Sequence, residues 1–195
     1  MFSRNIILVA GGPYPSGDWR RTLKMGVDIA VVGEGEKSFP ELLAKIYSGE
    51  RFEHIKGVAF KKGSEIIFTG CSERVENLDL YPPFSEKYGL FSAIEITRGC
   101  PRGCNYCQTS YLFGRQMRHR SIENILMWGK VFKCRGHYDI RFISPDALSY
   151  GSDGKNPGLD IIAEMLKAVN GVIEKKHIFF GKVFLKNFFS KILLL

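Results

Sequence analysis

Three cysteines, Cys100, Cys104 and Cys107, fall within RGCPRGCNYCQTS, the stretch that begins at Arg98. A regular helix is discouraged through it. Pro101 lacks a backbone donor, and Gly99 and Gly103 favour backbone angles that other residues resist. The chain must loop here, directly after the β-prone run SAIEITRG (92–99). What three thiols do in one loop depends on the compartment. No apolar stretch approaches the ~20 residues that span a bilayer. The opening MFSRNIILVAGG is too short for a secretory leader and reads as a strand. A cytoplasmic chain is therefore expected, and there clustered cysteines bind metal more often than they pair as disulfides.

The pattern around the loop is α/β. NIILVAGG (5–12) suits a buried parallel strand, followed by a Pro/Gly-interrupted loop, PYPSGD. DWRRTLKMG reads as a short helix capped by Asp18 and closed by Gly26. DIAVVGEGE (28–36) is a second buried strand, and KSFPELLAKIYSG a helix with Pro40 in its first turn. GVAFKKGSEIIFTG then alternates about Lys62-Gly63-Ser64 as a hairpin. NLDLYPPFSEKYGL (77–90) has no usable period and is expected to be an interdomain linker. A second βα series follows: the strand at 92–99, a helix capped by Ser121, the strand YDIRFIS, the helix GLDIIAEMLKAV and the strand KHIFFG. This puts the cysteine loop at the C-terminal end of the first strand of that series, where α/β folds bind ligands.

The formal charge is +8, yet five lysines and one glutamate in the last 25 residues supply +4 of it, which leaves +4 for the first 170. That is too little to argue for a nucleic-acid surface, and neither nucleic acid nor membrane is expected as a partner.

A [4Fe–4S] cluster is normally held by four thiolates. The spacing Cys-x3-Cys-x2-Cys lets one loop bind three irons, and with no fourth cysteine close by, one iron is left open to a substrate or cofactor. Two other readings stay open. A structural zinc site would add His119 or Cys134, although zinc sites usually pair two Cys-x2-4-Cys arms and no second arm exists. A four-cysteine electron-transfer cluster would recruit Cys134. Cys71 and Cys134 are otherwise expected to be buried or idle thiols.

Cys100-Pro-Arg-Gly-Cys104-Asn-Tyr106-Cys107 resembles the signature of the radical S-adenosylmethionine (SAM) superfamily, Cys-x3-Cys-x-aromatic-Cys. The resemblance implies a partial (βα)6 barrel and a [4Fe–4S] cluster on Cys100, Cys104 and Cys107 whose open iron chelates SAM. It implies reductive cleavage of SAM to a 5′-deoxyadenosyl radical acting on an unknown substrate, with an electron donor such as ferredoxin or flavodoxin. The non-enzymatic alternative is an electron carrier or an inactive remnant that binds a cluster. Tyr106 would pack near the adenine. Where the family carries a Gly-Gly-Glu-like stretch, this chain reads FISPDALSYG (142–151), so Ser144 and Asp146 occupy the position of the SAM contacts without matching the motif. The basic run GRQMRHRS (114–121) includes Arg118 and Arg120. One arginine could neutralise an anion, but a solvated surface is the expectation.

The first part resembles the later half of the cobalamin-binding domain that precedes many such barrels. VAGGPYPSGD and VVGEGE (31–36) carry the likeness, and Gly11 and Gly12 would permit approach of the cobalamin nucleotide tail. A tight βα turn alone would also explain those glycines. The Asp-x-His-x-x-Gly motif for a lower cobalt ligand has no counterpart. The expected layout is a partial cobalamin-type α/β domain over 1–76, a linker over 77–90, an incomplete barrel over 91–180 and an atypical tail over 181–195. The chain is expected to be truncated at both ends. The tail has amphipathic helical spacing; it could touch a membrane surface, cover a barrel edge, or be sequence unshaped by selection, and the last fits best the mismatch between its patterning and the fold.

Overall fold

A computed structural model of the protein describes residues 6–173 and, for the backbone only, 178–180. The expected tail, 181–195, lies outside the described residues. Two compact units emerge: Met1–Val75 with Tyr106–Phe113, and Glu76–Asn105 with Gly114–Leu195.

The first unit is built on a four-stranded sheet in the order β1 (Val9–Ala10), β2 (Ile29–Val31), β3 (Val58–Lys62), β4 (Glu65–Phe68). β1 and β2 run parallel, whereas β2–β3 and β3–β4 are antiparallel. All three residues of β2 are buried because both sheet faces are covered. Ile29 and Val31 join Leu42 of α3 (Gly35–Ser48) in one core, and Ala30 packs with Leu23 of α2 (Trp19–Lys24) on the other face. The period-two alternation of a strand makes this division.

Several elements are shorter than their sequence suggests. Among the described residues 6–12 the strand takes in only Val9 and Ala10, at the sheet's edge, and Pro13 opens a short helix α1 (Pro13–Gly17) where a loop is expected. The strand at 28–36 ends at Val31 because Gly33 turns the chain at φ 89°. α3 therefore starts at Gly35, and Pro40 lies inside the helix rather than in its first turn. Asp18 caps α2 as expected, its Oδ1 accepting the Arg21 N–H at 2.9 Å.

The second unit has a parallel sheet, β5 (Ile94–Glu95), β8 (Ile140–Ile143), β9 (Ile178–Phe180), in that order. Helices α5 (Ile122–Cys134) and α6 (Leu159–Asn170) are the crossovers. Ile94, Ile140 and Phe142 face them, in a core with Ile125, Met165 and Val169. The expected single strand at 92–99 divides: Thr97–Arg98 forms β6, which leaves the parallel sheet and pairs antiparallel with β7 (Arg118–His119). Nothing in the hydrophobic pattern marks β7, because its partner is chosen by the loop's closure.

Residues 77–90, expected as a linker, contain only two single-turn 3-10 helices, Leu78–Leu80 and Glu86–Tyr88. They nonetheless fold with the second unit. Leu78 and Phe84 are buried, and Asp79 Oδ1 accepts the Ser121 N–H at 3.0 Å just ahead of α5. Truncating the central side chain of the first unit tests its core: Leu42→Ala, fully buried, is expected to lower stability by ~2–5 kcal/mol, read as an earlier urea midpoint.

Candidate functional site

The cysteine loop leaves β6 through Gly99 at φ 87°. A Cβ there would run into the Gln116 carbonyl oxygen, so both the backbone angle and the space require glycine. The next residue closes the loop. Cys100 is buried, and its N–H donates to the Gly114 carbonyl at 3.1 Å. Gly103, at φ 62°, makes the second turn. Cys104 and Cys107 are exposed, as are Cys71 and Cys134, so neither of the last two is a buried thiol. Tyr106 is 92% exposed.

The Thr109 hydroxyl, at the start of α4 (Thr109–Phe113), lies 3.3 Å from Cys107 Sγ. This hydroxyl, and then the Thr109 backbone N–H, hold the Cys107 thiol below its ordinary pKa, which favours the thiolate a metal needs. Among the described residues no three His, Cys, Asp or Glu side chains already stand together as a metal-holding group. The fit to a cluster rests on the donor set: three thiols on one glycine-hinged loop, the last with a stabilised thiolate.

Within the second unit, the segment after β8 docks against the start of the cysteine loop. Asp146 Oδ2 accepts from Arg102 Nη2 at 3.0 Å, and the Ser144 hydroxyl donates to the Asp146 carbonyl at 2.8 Å. The two residues expected to touch SAM are thus engaged in holding this segment's shape. A Cβ added at Gly154 would lie 2.6 Å from Pro101 Cγ and 2.7 Å from Met117 Sδ. Only glycine allows so close an approach.

The basic run departs most from expectation. Arg118 and Arg120 are buried, not solvated. Arg120 Nε donates to the Glu95 carbonyl at 3.0 Å and Nη1 to Asn124 Oδ1 at 2.7 Å. Arg98 clasps Glu95 through Nε and Nη2, the latter 2.6 Å from Oε2. These bonds stitch β5, β6 and β7 together beneath the loop. Charge alone could not reveal this, since a basic run is ordinarily exposed.

His119, between the two arginines, has both ring nitrogens engaged. Nε2 lies 2.8 Å from the Ser152 carbonyl and Nδ1 3.0 Å from Thr97 Oγ1, with the Gly151 N–H also directed at Nδ1. A histidine so engaged is not free to serve as the fourth zinc ligand. Burial lowers its pKa below the ordinary 6.5, partly offset by the Ser152 carbonyl.

In the first unit the Ser16 hydroxyl donates to the Gly12 carbonyl at 2.7 Å and accepts the Gly33 N–H at 2.9 Å, tying together the turns that follow β1 and β2. Glu34, buried, accepts the Val75 N–H at 3.0 Å. A cleft of about 200 Å³ opens beside them, lined by Trp19, Glu34, Arg74 and Tyr111 among others, which sequence reasoning did not anticipate. Of the two expected nucleotide contacts, Gly12 faces open space where a Cβ would stand, and Gly11 lies against Val31.

A family model of the radical SAM superfamily matches residues 94–181. The chain is 32% identical over 161 residues to a candidate methylthiotransferase of Methanocaldococcus jannaschii, covering 80% of this chain and 34% of that protein. It is 28% identical over 193 residues to an uncharacterised methyltransferase of Pyrococcus horikoshii, covering 89% and 42%. It is also 31% identical over 128 residues to the anaerobic magnesium-protoporphyrin IX monomethyl ester cyclase of a Synechocystis strain, covering 60% and 26%. The chain thus spans less than half the length of these relatives. The fold is similar to part of two solved radical SAM enzyme structures. The solved structure of OxsB with aqua-cobalamin superposes at a TM-score of 0.63 with 18% identity, covering 89% of this chain and 25% of that one. TsrM from Kitasatospora setae, solved with tryptophan and a SAM analogue, gives 0.60 and 18%, covering 82% and 32%. The mixed α/β architecture expected from the sequence is therefore shown. Among the described residues no helix is long and apolar enough to cross a membrane.

Two outcomes follow from the titrating groups. Thr109→Val removes the hydroxyl beside Cys107, and the Cys107 peptide is expected to alkylate more slowly with iodoacetamide near neutral pH, with Cys104 as internal control. For His119 the folded state disfavours the proton, so the unfolded chain binds it first as pH falls. Stability is intact above the ordinary value of 6.5 and declines below it. The urea midpoint is expected to fall between about pH 7 and about pH 5, and His119→Gln should flatten that decline.

Proposed function

We propose that this chain carries the cluster-binding part of a radical SAM enzyme of the cobalamin-associated type. Cys100, Cys104 and Cys107 would be the three thiolate ligands of a [4Fe–4S] cluster. Residues 1–76 read as part of a cobalamin-binding-type domain and 91–180 as the opening part of the barrel, with 77–90 between them. One observation supports this above the others. A loop carrying Cys-x3-Cys-x-Tyr-Cys follows strands β5 and β6 in the segment that matches the radical SAM superfamily.

When bound, a reduced [4Fe–4S] cluster supplies the electron that divides SAM into methionine and a 5′-deoxyadenosyl radical. The protein's own share is binding, orientation and exclusion. Gly99 and Gly103 let the loop curl, and the Cys100–Gly114 backbone bond closes it. Thr109 favours the Cys107 thiolate. Tyr106, exposed at the loop's tip, is available to cover the adenine. Arg102 and Asp146 fix the neighbouring segment, and Ser144 is placed to shape it. In the first unit Gly11 and Gly12 would border the nucleotide tail of a cobalamin, supported by the open space at Gly12. The resulting radical would abstract hydrogen, or a methyl group would be transferred, on a substrate of unassigned class. Such chemistry belongs in a reducing cytoplasm and needs a one-electron donor of the ferredoxin or flavodoxin class.

Anaerobic reconstitution with iron and sulfide tests the assignment. The wild-type chain is expected to bind close to one cluster, and Cys100→Ala, Cys104→Ala and Cys107→Ala each to lose it. Dithionite and SAM are then expected to release 5′-deoxyadenosine. A reducible cluster with no 5′-deoxyadenosine would instead indicate an electron carrier or an inactive remnant. Stoichiometric zinc without sulfide would overturn the cluster reading altogether.

A further inference from the structure

We propose that His119 is a positioning residue for SAM: it latches residues 149–154, beyond β8, against the start of the cysteine loop. This rests on the reading above, in which the segment after β8 borders the SAM pocket.

The latch follows from hydrogen-bond chemistry. A backbone carbonyl only accepts and a backbone N–H only donates. The Ser152 carbonyl, 2.8 Å from Nε2, therefore requires a proton on Nε2. The Gly151 N–H, 3.3 Å from Nδ1, requires a bare Nδ1, which also accepts from the Thr97 hydroxyl at 3.0 Å. One tautomer of the neutral ring satisfies all three. Thr97 is fully buried on β6, three residues before Cys100, so the ring is anchored to the strand that launches the cysteine loop. Its other partners, Gly151 and Ser152, belong to the segment beyond β8.

From there the connection runs on to the loop itself. The Gly154 N–H donates to the Ser152 hydroxyl at 3.2 Å, and Gly154 sits tight against Pro101 and Met117. Tyr150 closes the far side: its ring meets His119 edge-on with centroids 5.5 Å apart, and its hydroxyl donates to the Arg120 carbonyl at 2.7 Å. One imidazole thus links the strand before the first cysteine to the segment that covers Pro101. Both ring nitrogens are taken up by these partners. The ring's effect would reach SAM only through residues 149–154, which follow closely on Ser144 and Asp146 in the chain.

The test uses the full chain and two variants. His119→Phe keeps ring volume but no hydrogen bond; His119→Gln keeps a donor in reach of the Ser152 carbonyl. In the metal-free protein, amide hydrogen exchange at Gly151 and Gly154 is expected to accelerate strongly in the Phe variant and to be partly restored in the Gln variant. In reconstituted protein, the Phe variant is expected to bind SAM about tenfold more weakly at unchanged iron per chain, again with partial rescue by Gln. The wild-type imidazole should show the 15N signature of a protonated Nε2 and a bare Nδ1, a readout that needs no variant to fold. Unchanged exchange in His119→Phe, or the opposite tautomer in the wild type, overturns the latch whatever the cluster does. SAM affinity equal to wild type in a variant whose exchange has accelerated overturns the positioning role. A wild-type chain that assembles no cluster overturns the functional reading instead, while faster exchange in the Phe variant still supports the latch.

Discussion

Two residue pairs, Ile94 with Phe142 and Glu95 with Ile143, set β5 and β8 side by side and parallel. Parallel neighbours discharge their following loops from the same edge of the sheet. The cysteine loop and the segment after β8 therefore emerge together, and Arg102–Asp146, Gly154–Pro101 and the His119 bonds all exploit that proximity. Pairing the same strands antiparallel would send the two loops to opposite ends and remove each of these contacts. The core of Ile94, Ile140 and Phe142 against α5 and α6 holds the register, since a slip of one residue would turn these side chains away from the helices.

Beneath the loop lies an unusual concentration of charge for a buried place. Arg118 and Arg120 have almost no exposure, yet the chain hides them, with Glu95, Asp79 and Asn124 supplying partners for Arg120 or its surroundings. Burying a guanidinium is tolerable only when its donors are satisfied, and Arg120 meets that condition with a carbonyl and an amide oxygen. The outcome is a hydrogen-bonded base made of three short strands that would be too short to persist alone. A loop required to hold thiols in a fixed geometry gains from such a base, because loose support is the commonest way for a site to be imprecise.

How much of this was legible beforehand varied with the range of the interaction involved. Strands at 29–31 and 140–143, helices at 35–48 and 122–134, and the cap residues Asp18 and Ser121 rest on local patterns, and the structure contains them. Strand ends proved less readable: β2 stops where Gly33 turns, and Thr97–Arg98 departs from the parallel sheet to meet β7. Segment 77–90 looked like a linker because it has no period, but burial of Phe84 and the Asp79 bond to Ser121 are long-range facts without a local signature.

From the sequence alone came the cysteine spacing, the glycines that let the loop turn and the α/β order that puts it after a strand. Each of these is a property of neighbours along the chain, where covalent geometry and periodicity act directly. Only the tertiary structure decided that Arg118 and Arg120 are interior, that His119 bonds to the Thr97 hydroxyl and to the backbone of Gly151 and Ser152, and that Asp146 pairs with Arg102. Those outcomes depend on which groups meet across dozens of residues, and a side chain's charge state and partners follow from its surroundings, which no stretch of sequence contains.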